Sequence, residues 1–229
     1  VVLYLFHYVL FEDARHIILW TTTSVAFLPI SVLFVTLIIN RLLVRRERDV
    51  IMEKLNVLIG TFFSVIGTRL LRYCAAWDPD ADRLRPKVGE GVDCPEKEYR
   101  RVRHRLEEYE YTVDVQKVDF DELRQFLEGK SDFMLRLLEN PHLLEHDSFT
   151  NLLRSVFHLT EELVSREGLK DLPESDYRHL AVDIERVYKL IVLEWLNYMR
   201  YLKASYPYLF SFAMRTNPFE ERASVVVEE

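Results

Sequence analysis

The sequence predicts an all-α protein in which one transmembrane helix continues into an amphipathic helix and is followed by a cytoplasmic helical bundle. Three observations predict it. Only 6 Gly and 8 Pro interrupt 229 residues, so long helices meet few breakers. Residues 17–40, IILWTTTSVAFLPISVLFVTLIIN, carry no ionisable side chain, and at about 1.5 Å per residue they reach across the roughly 30 Å of a bilayer's hydrocarbon core. Beyond them, apolar residues recur at helical spacing between recognisable helix caps.

The composition narrows the class. With 49% hydrophobic residues, 29% charged residues and a net charge of -7, the chain is not a collagen, a disordered polymer or a multi-span transporter. The acidic balance gives no basic face for neutralising phosphates, so nucleic acid is not an expected partner. Two cysteines, Cys74 and Cys94, match no metal spacing and read as reduced thiols.

Residues 1–16 form an apolar N-terminal segment too short to span, read as interfacial or as the end of another membrane segment, with His7 anchoring at the interface. Residues 17–43 are the expected transmembrane helix. Trp20 sits near one end, where an indole suits the headgroup level, and Arg41, Arg45, Arg46 and Arg48 follow the other. The positive-inside rule puts that arginine flank on the cytoplasmic side, so the chain is expected as a single-pass protein of the inner membrane with its N-terminus outside. Pro29 removes a backbone donor in mid-span and predicts a kink, with the hydroxyls of Thr21, Thr22, Thr23 and Ser24 within two turns.

Residues 44–75 read as an amphipathic juxtamembrane helix with Ile51, Leu55, Leu58, Phe62, Ile66 and Leu70 on one stripe. Beside it Gly60, Ser64 and Gly67 place small residues at a spacing that lets two helix backbones approach. This helix seam is expected to join two segments of one chain or several copies of it, with self-association the preferred reading. Residues 76–96 gather Pro79, Pro86, Pro95, Gly89 and Gly91 without periodicity and read as a linker loop.

Residues 97–219 are the expected bundle. Its first helix concentrates Arg100, Arg101, Arg103 and Arg105, either as a contact for anionic lipid headgroups or as a solvated face paired with Glu107, Glu108 and Glu110. Asp119 with Glu122 three residues on is a capping box, Ser131 and Ser148 are further expected starts, and residues 171–206 predict the longest helix on this side of the span. The aromatic series from Trp195 to Phe212 is read mainly as core. Residues 220–229 are expected to be a flexible tail.

No nucleotide loop, GxSxG, HExxH or CxxC motif occurs. A carboxylate-bridged metal site in a bundle asks for two intact ExxH pairs. Glu139 to His142 is interrupted by Pro141, Asp176 to His179 is a weaker pair, and Glu161, Glu162, Asp183 and Glu194 follow no rule. The reading therefore assigns no catalytic residue, no metal ligand and no cofactor.

The segments FLPISVLFVTLIINRLL, KLNVLIGTFFSVIGTRLL, DLPESDYRHLAVDIERVYKL and YPYLFSFAMRTNPF resemble an uncharacterised family of prokaryotic membrane-anchored helical proteins. The resemblance covers most of the chain and implies one membrane helix followed by a cytoplasmic helical domain, and it brings no activity with it. The function expected is a self-associating scaffold or regulatory protein that holds membrane lipid, copies of itself and other membrane or cytoplasmic proteins. A subunit of an oligomeric channel and a bundle metalloenzyme are the alternatives.

Overall fold

The computed structural model describes residues 14–219 together with Val2, Leu5, Phe6 and Val9. The readings of residues 1–13 as a segment, of His7 and of the tail at 220–229 lie outside the described residues. No strand occurs among the described residues, and the chain resolves into two compact units divided between Met52 and Glu53.

Helix α1, Ala14–Phe62, supplies the first unit up to Met52. Pro29 lies inside it and the helical hydrogen-bonding pattern continues on both sides. Ile18, Leu19, Phe27, Leu28, Leu33, Phe34, Leu37 and Ile38 are all exposed, which is the reverse of a helix from a water-soluble core.

The second unit starts with the last turns of α1, where Leu55, Ile59 and Phe62 are buried. A five-residue π-helical turn, Phe63–Gly67, follows, and then α2, Thr68–Trp77. The wider turn rotates the inward face by one position, so the neighbours Phe62 and Phe63 are both buried. Phe62 meets Phe149 edge-on at 5.4 Å, and Phe63 stacks on Tyr198 at 5.2 Å.

Residues 76–96 are not a loop. They contain α3, Ala81–Asp93, in which Ala81, Leu84, Val88 and Val92 recur at helical spacing and are buried. Pro86 lies on the exposed face, and Gly91 is where α3 meets its neighbours, since an added Cβ would stand 2.8 Å from Leu196 and 2.9 Å from Val102. Tertiary packing of an apolar stripe has outweighed the local cost of one proline and two glycines.

The remaining elements are α4 Glu96–Glu107, a 3-10 turn Val115–Lys117, α5 Phe120–Glu128, α6 Ser131–Leu138, a second 3-10 turn Pro141–Glu145, α7 Asp147–Val164, α8 Glu174–Ser205 and α9 Pro207–Arg215. Asp119 caps α5 as expected, its carboxylate accepting from the Glu122 N–H at 2.9 Å. The start of α7 differs from the expected Ser148 cap, because His146 Nδ1 accepts from the Phe149 N–H instead. Helix α8 is the axis of the unit, packed against α2, α3, α4, α7 and α9. Every residue from Ile191 to Leu196 is buried, as an all-round contact requires.

Candidate functional site

In the first unit, the hydroxyls of Thr22, Thr23 and Ser31 donate to the carbonyls of Ile18, Leu19 and Phe27, one turn back, at 2.8, 2.8 and 3.0 Å. A hydroxyl in water has no need of that partner, whereas in an apolar medium it does. Trp20, Arg41, Arg45 and Arg46 are exposed, and the side chain of Arg48 lies outside the described set.

The small residues of the expected seam do not share one face. A Cβ on Gly60 would stand 2.9 Å from the Tyr198 hydroxyl of α8, so this glycine admits a neighbour within the chain. Gly67 is closed by Phe62 and Phe63 of its own helix, and Ser64 is exposed. The π-turn between them breaks the 3.6-residue period on which a common face depends.

The arginines of α4 are also divided. Arg103 donates to Glu107 at 2.9 Å and to Asn197 of α8 at 3.0 Å, and Tyr99 donates to the same Asn197 oxygen. Arg105 pairs with Glu90 and Arg100 with Glu96, both exposed, while Arg101 is exposed. Arg103 is therefore a strut between helices, whereas Arg100, Arg101 and Arg105 present charge to solvent.

The densest group of ionisable side chains lies between α7 and α8. His158 and Glu162 are four apart on α7, and His179 and Asp183 are four apart on α8, so each pair occupies one face of its helix. His158 Nε2 stands 3.9 Å from Glu162 Oε1 and 3.6 Å from Asp183 Oδ2. His179 Nε2 stands 3.6 Å from Glu162 Oε2 and 3.5 Å from the same Asp183 oxygen. Arg166 grips Asp176 with two bonds of 2.8 Å and Glu162 at 2.9 Å, and Arg186 holds Asp183 Oδ1 at 2.8 Å. Hydrogen bonding from Arg166 holds the carboxyls of Glu162 and Asp176 below their ordinary range.

Asp176, the acid of the weaker Asp176–His179 pair, is engaged by Arg166. Glu139 and His142 are separated by the start of the second 3-10 turn, whose cap is Asn140. Among the described residues no three His, Cys, Asp or Glu side chains stand closed into a metal-holding group. His158 was not singled out from the sequence, although its signal was there as two His-x-x-x-acid pairs on helices that were themselves legible.

A second buried polar group sits at the end of α2. Asp78 accepts from the Tyr109 hydroxyl at 3.0 Å, Tyr109 packs edge-on against Tyr111, and Tyr111 packs edge-on against Tyr188. Burial pushes the phenols of Tyr109, Tyr111 and Tyr188 well above the ordinary range.

Fold and side chains together define an all-α protein with an apolar, outward-facing N-terminal helix joined in sequence to a helical unit with its own core. The chain belongs to the MJ1433 family of uncharacterised helical proteins. Its residues 51–215 match the family's C-terminal helical domain and residues 1–43 its N-terminal helical domain. It is 42% identical over 229 residues to uncharacterized protein MJ1433 of Methanocaldococcus jannaschii, a match that covers 100% of this chain and 92% of that protein. No solved structure matches.

Proposed function

We propose that the chain is a membrane-anchored helical protein whose second unit serves as an interaction module, a scaffold or regulator held at the inner surface of a cell membrane. One observation carries the reading. The long helix α1 keeps its apolar side chains exposed through residues 18–44, with no ionisable residue from 17 to 40 and hydroxyls returned to its own backbone. Lipid satisfies all three properties, and water satisfies none.

Trp20 at one end and Arg41, Arg45 and Arg46 at the other support an orientation with the second unit on the cytoplasmic side. The exposed Arg100, Arg101 and Arg105 suit anionic headgroups, and Arg103 is excluded from that role by its bonds to Glu107 and Asn197. Self-association is proposed through α1, whose apolar side chains are exposed among the described residues. Gly60 has lost its part in that proposal, because Tyr198 already occupies the approach.

The test is fractionation of cells expressing the full chain, followed by alkaline carbonate washing and light scattering in detergent. The expected result is a protein retained in the membrane pellet and larger than one chain after solubilisation. Release into the carbonate supernatant refutes the anchor, and a strictly monomeric particle refutes self-association.

A further inference from the structure

We propose that the cluster between α7 and α8 is a binding site for a divalent transition-metal ion, with His158, Glu162, His179 and Asp183 as its ligands. Asp183 is the member of the cluster least open to solvent. Its side chain is only 3% exposed, Arg186 satisfies Oδ1, and Oδ2 has no hydrogen-bond donor among the described residues. A carboxylate oxygen buried without a partner is costly, so the fold needs a reason to keep it. The groups aimed at that oxygen are two imidazole nitrogens, at 3.5 and 3.6 Å, both beyond ordinary hydrogen-bond length.

Those separations are close to the spacing of donors around a shared cation. Ligands about 2.0–2.2 Å from a tetrahedral metal lie roughly 3.3–3.6 Å from one another. Here the two imidazoles stand 3.5 and 3.6 Å from the one Asp183 Oδ2, and His179 and His158 stand 3.6 and 3.9 Å from Glu162 Oε2 and Oε1. The side chains are not yet closed into a metal-holding group, and closure requires the imidazoles to move. They are the parts able to do so, since the side chains of His158 and His179 are 46% and 52% exposed. Their exposure also gives a cation its way in.

The carboxylates, by contrast, are already oriented. Arg186 fixes Asp183 through Oδ1, leaving Oδ2 turned toward both histidines, and Arg166 fixes Glu162 through Oε2, leaving Oε1 turned toward His158. Such outer hydrogen bonds are what a metal site uses to hold its ligands. The local charge also leaves room for a cation, because Glu162, Asp176 and Asp183 outnumber Arg166 and Arg186. Two imidazoles and two carboxylates form a borderline donor set suited to zinc and its neighbours, not to calcium or magnesium. A cation there would clasp the two helices that form the centre of the unit.

The experiment titrates zinc chloride into the full chain, stripped with a chelator and held in detergent, by calorimetry and by thermal unfolding. The expected result is one bound equivalent and a melting temperature raised by roughly 5–10 °C at about a hundredfold excess over the dissociation constant. Both effects should vanish in His158→Ala with His179→Ala, two half-exposed positions whose loss leaves the helical circular dichroism intact, and should persist in the control His104→Ala. Cobalt as a substitute should give the intense visible bands of a tetrahedral nitrogen and oxygen site. Absence of zinc binding, or binding of equal strength in the double variant, overturns the site and leaves imidazoles lying against the carboxylates without a metal as the reading of the cluster. Neither outcome bears on the membrane anchor.

Discussion

Replacing Gly67 by alanine tests the packing around the π-turn, and Gly89→Ala provides its internal control. At Gly67 the new methyl carbon would lie 2.6 Å from Phe63 Cδ1 and 2.9 Å from Phe62 Cε1, against the 3.5–4.0 Å or so at which carbons rest. Neither ring has space to withdraw, because Phe62 is locked edge-on to Phe149 and Phe63 is stacked on Tyr198. Overpacking of this kind costs about 1–3 kcal/mol, while alanine in place of a helical glycine returns about 1 kcal/mol. At Gly89 nothing lies within 4 Å of the added carbon, so that variant receives the helical gain alone. The difference between the two variants is then the overpacking itself. At roughly 2–4 °C per kcal/mol for a domain of this size, Gly67→Ala should melt about 2–12 °C below Gly89→Ala. Thermal unfolding of both detergent-solubilised chains by circular dichroism measures it. Equal melting temperatures, or a higher one for Gly67→Ala, would mean that the two rings do not close over this glycine, and the account of the π-turn would fall with it.

Two further outcomes follow from individual bonds. Asp119→Ala removes the acceptor for the Glu122 N–H and should cost about 1 kcal/mol, read as a melting temperature roughly 2–4 °C lower, whereas Asp119→Ser should retain most of it. The carboxyls of Glu162 and Asp176 are depressed in the folded chain by hydrogen bonds from Arg166, so their contribution is present above the ordinary carboxylate values and is lost as pH falls through the folded ones. Arg166→Ala should therefore be less stable than the parent near neutrality and flatter below about pH 4.5, the ordinary glutamate value, in melting temperature followed against pH. An unchanged acid slope would sink the assignment of that linkage to Arg166.

What could be read from the sequence was whatever is written in local chemistry. The cap at Asp119, the long helix that became α8 and the uncharged stretch of α1 depend on neighbours within a few turns, and each was legible. The helix at 81–93 was not, because Pro86, Gly89 and Gly91 mark a loop by composition, while the stripe that makes a helix of it needs Val102 and Leu196 to bury against. Of the expected face, Gly60 meets Tyr198 within the chain while Ser64 is exposed, a division that the spacing alone does not show. A π-turn is a response to packing Phe62 and Phe63 together, and no local residue announces it. The cluster at His158 required knowing that α7 and α8 are partners, after which two ordinary four-residue spacings meet in space.

The two units make different demands of their surroundings. The second encloses its own core, with Leu70, Leu84, Leu123, Phe149, Ile184 and Ile191 withdrawn from solvent by other residues of the same unit. Among the described residues of the first, Val25, Phe27, Leu28, Val32, Leu33, Phe34, Val35, Leu37, Ile38 and Ile39 remain about half exposed or more. Soluble monomers seldom carry an apolar patch beyond roughly 300–600 Å², and at about 25 cal/mol per Å² a helix apolar all round through this length would be penalised in water by tens of kcal/mol. The described part of this helix is therefore poorly matched to water and calls for an apolar surrounding. Lipid meets it at every azimuth, whereas a second copy meets one side and leaves the rest. The bilayer is therefore the solvent that the proposed anchor calls for, and the proposed self-association would be an addition to it, made within the membrane.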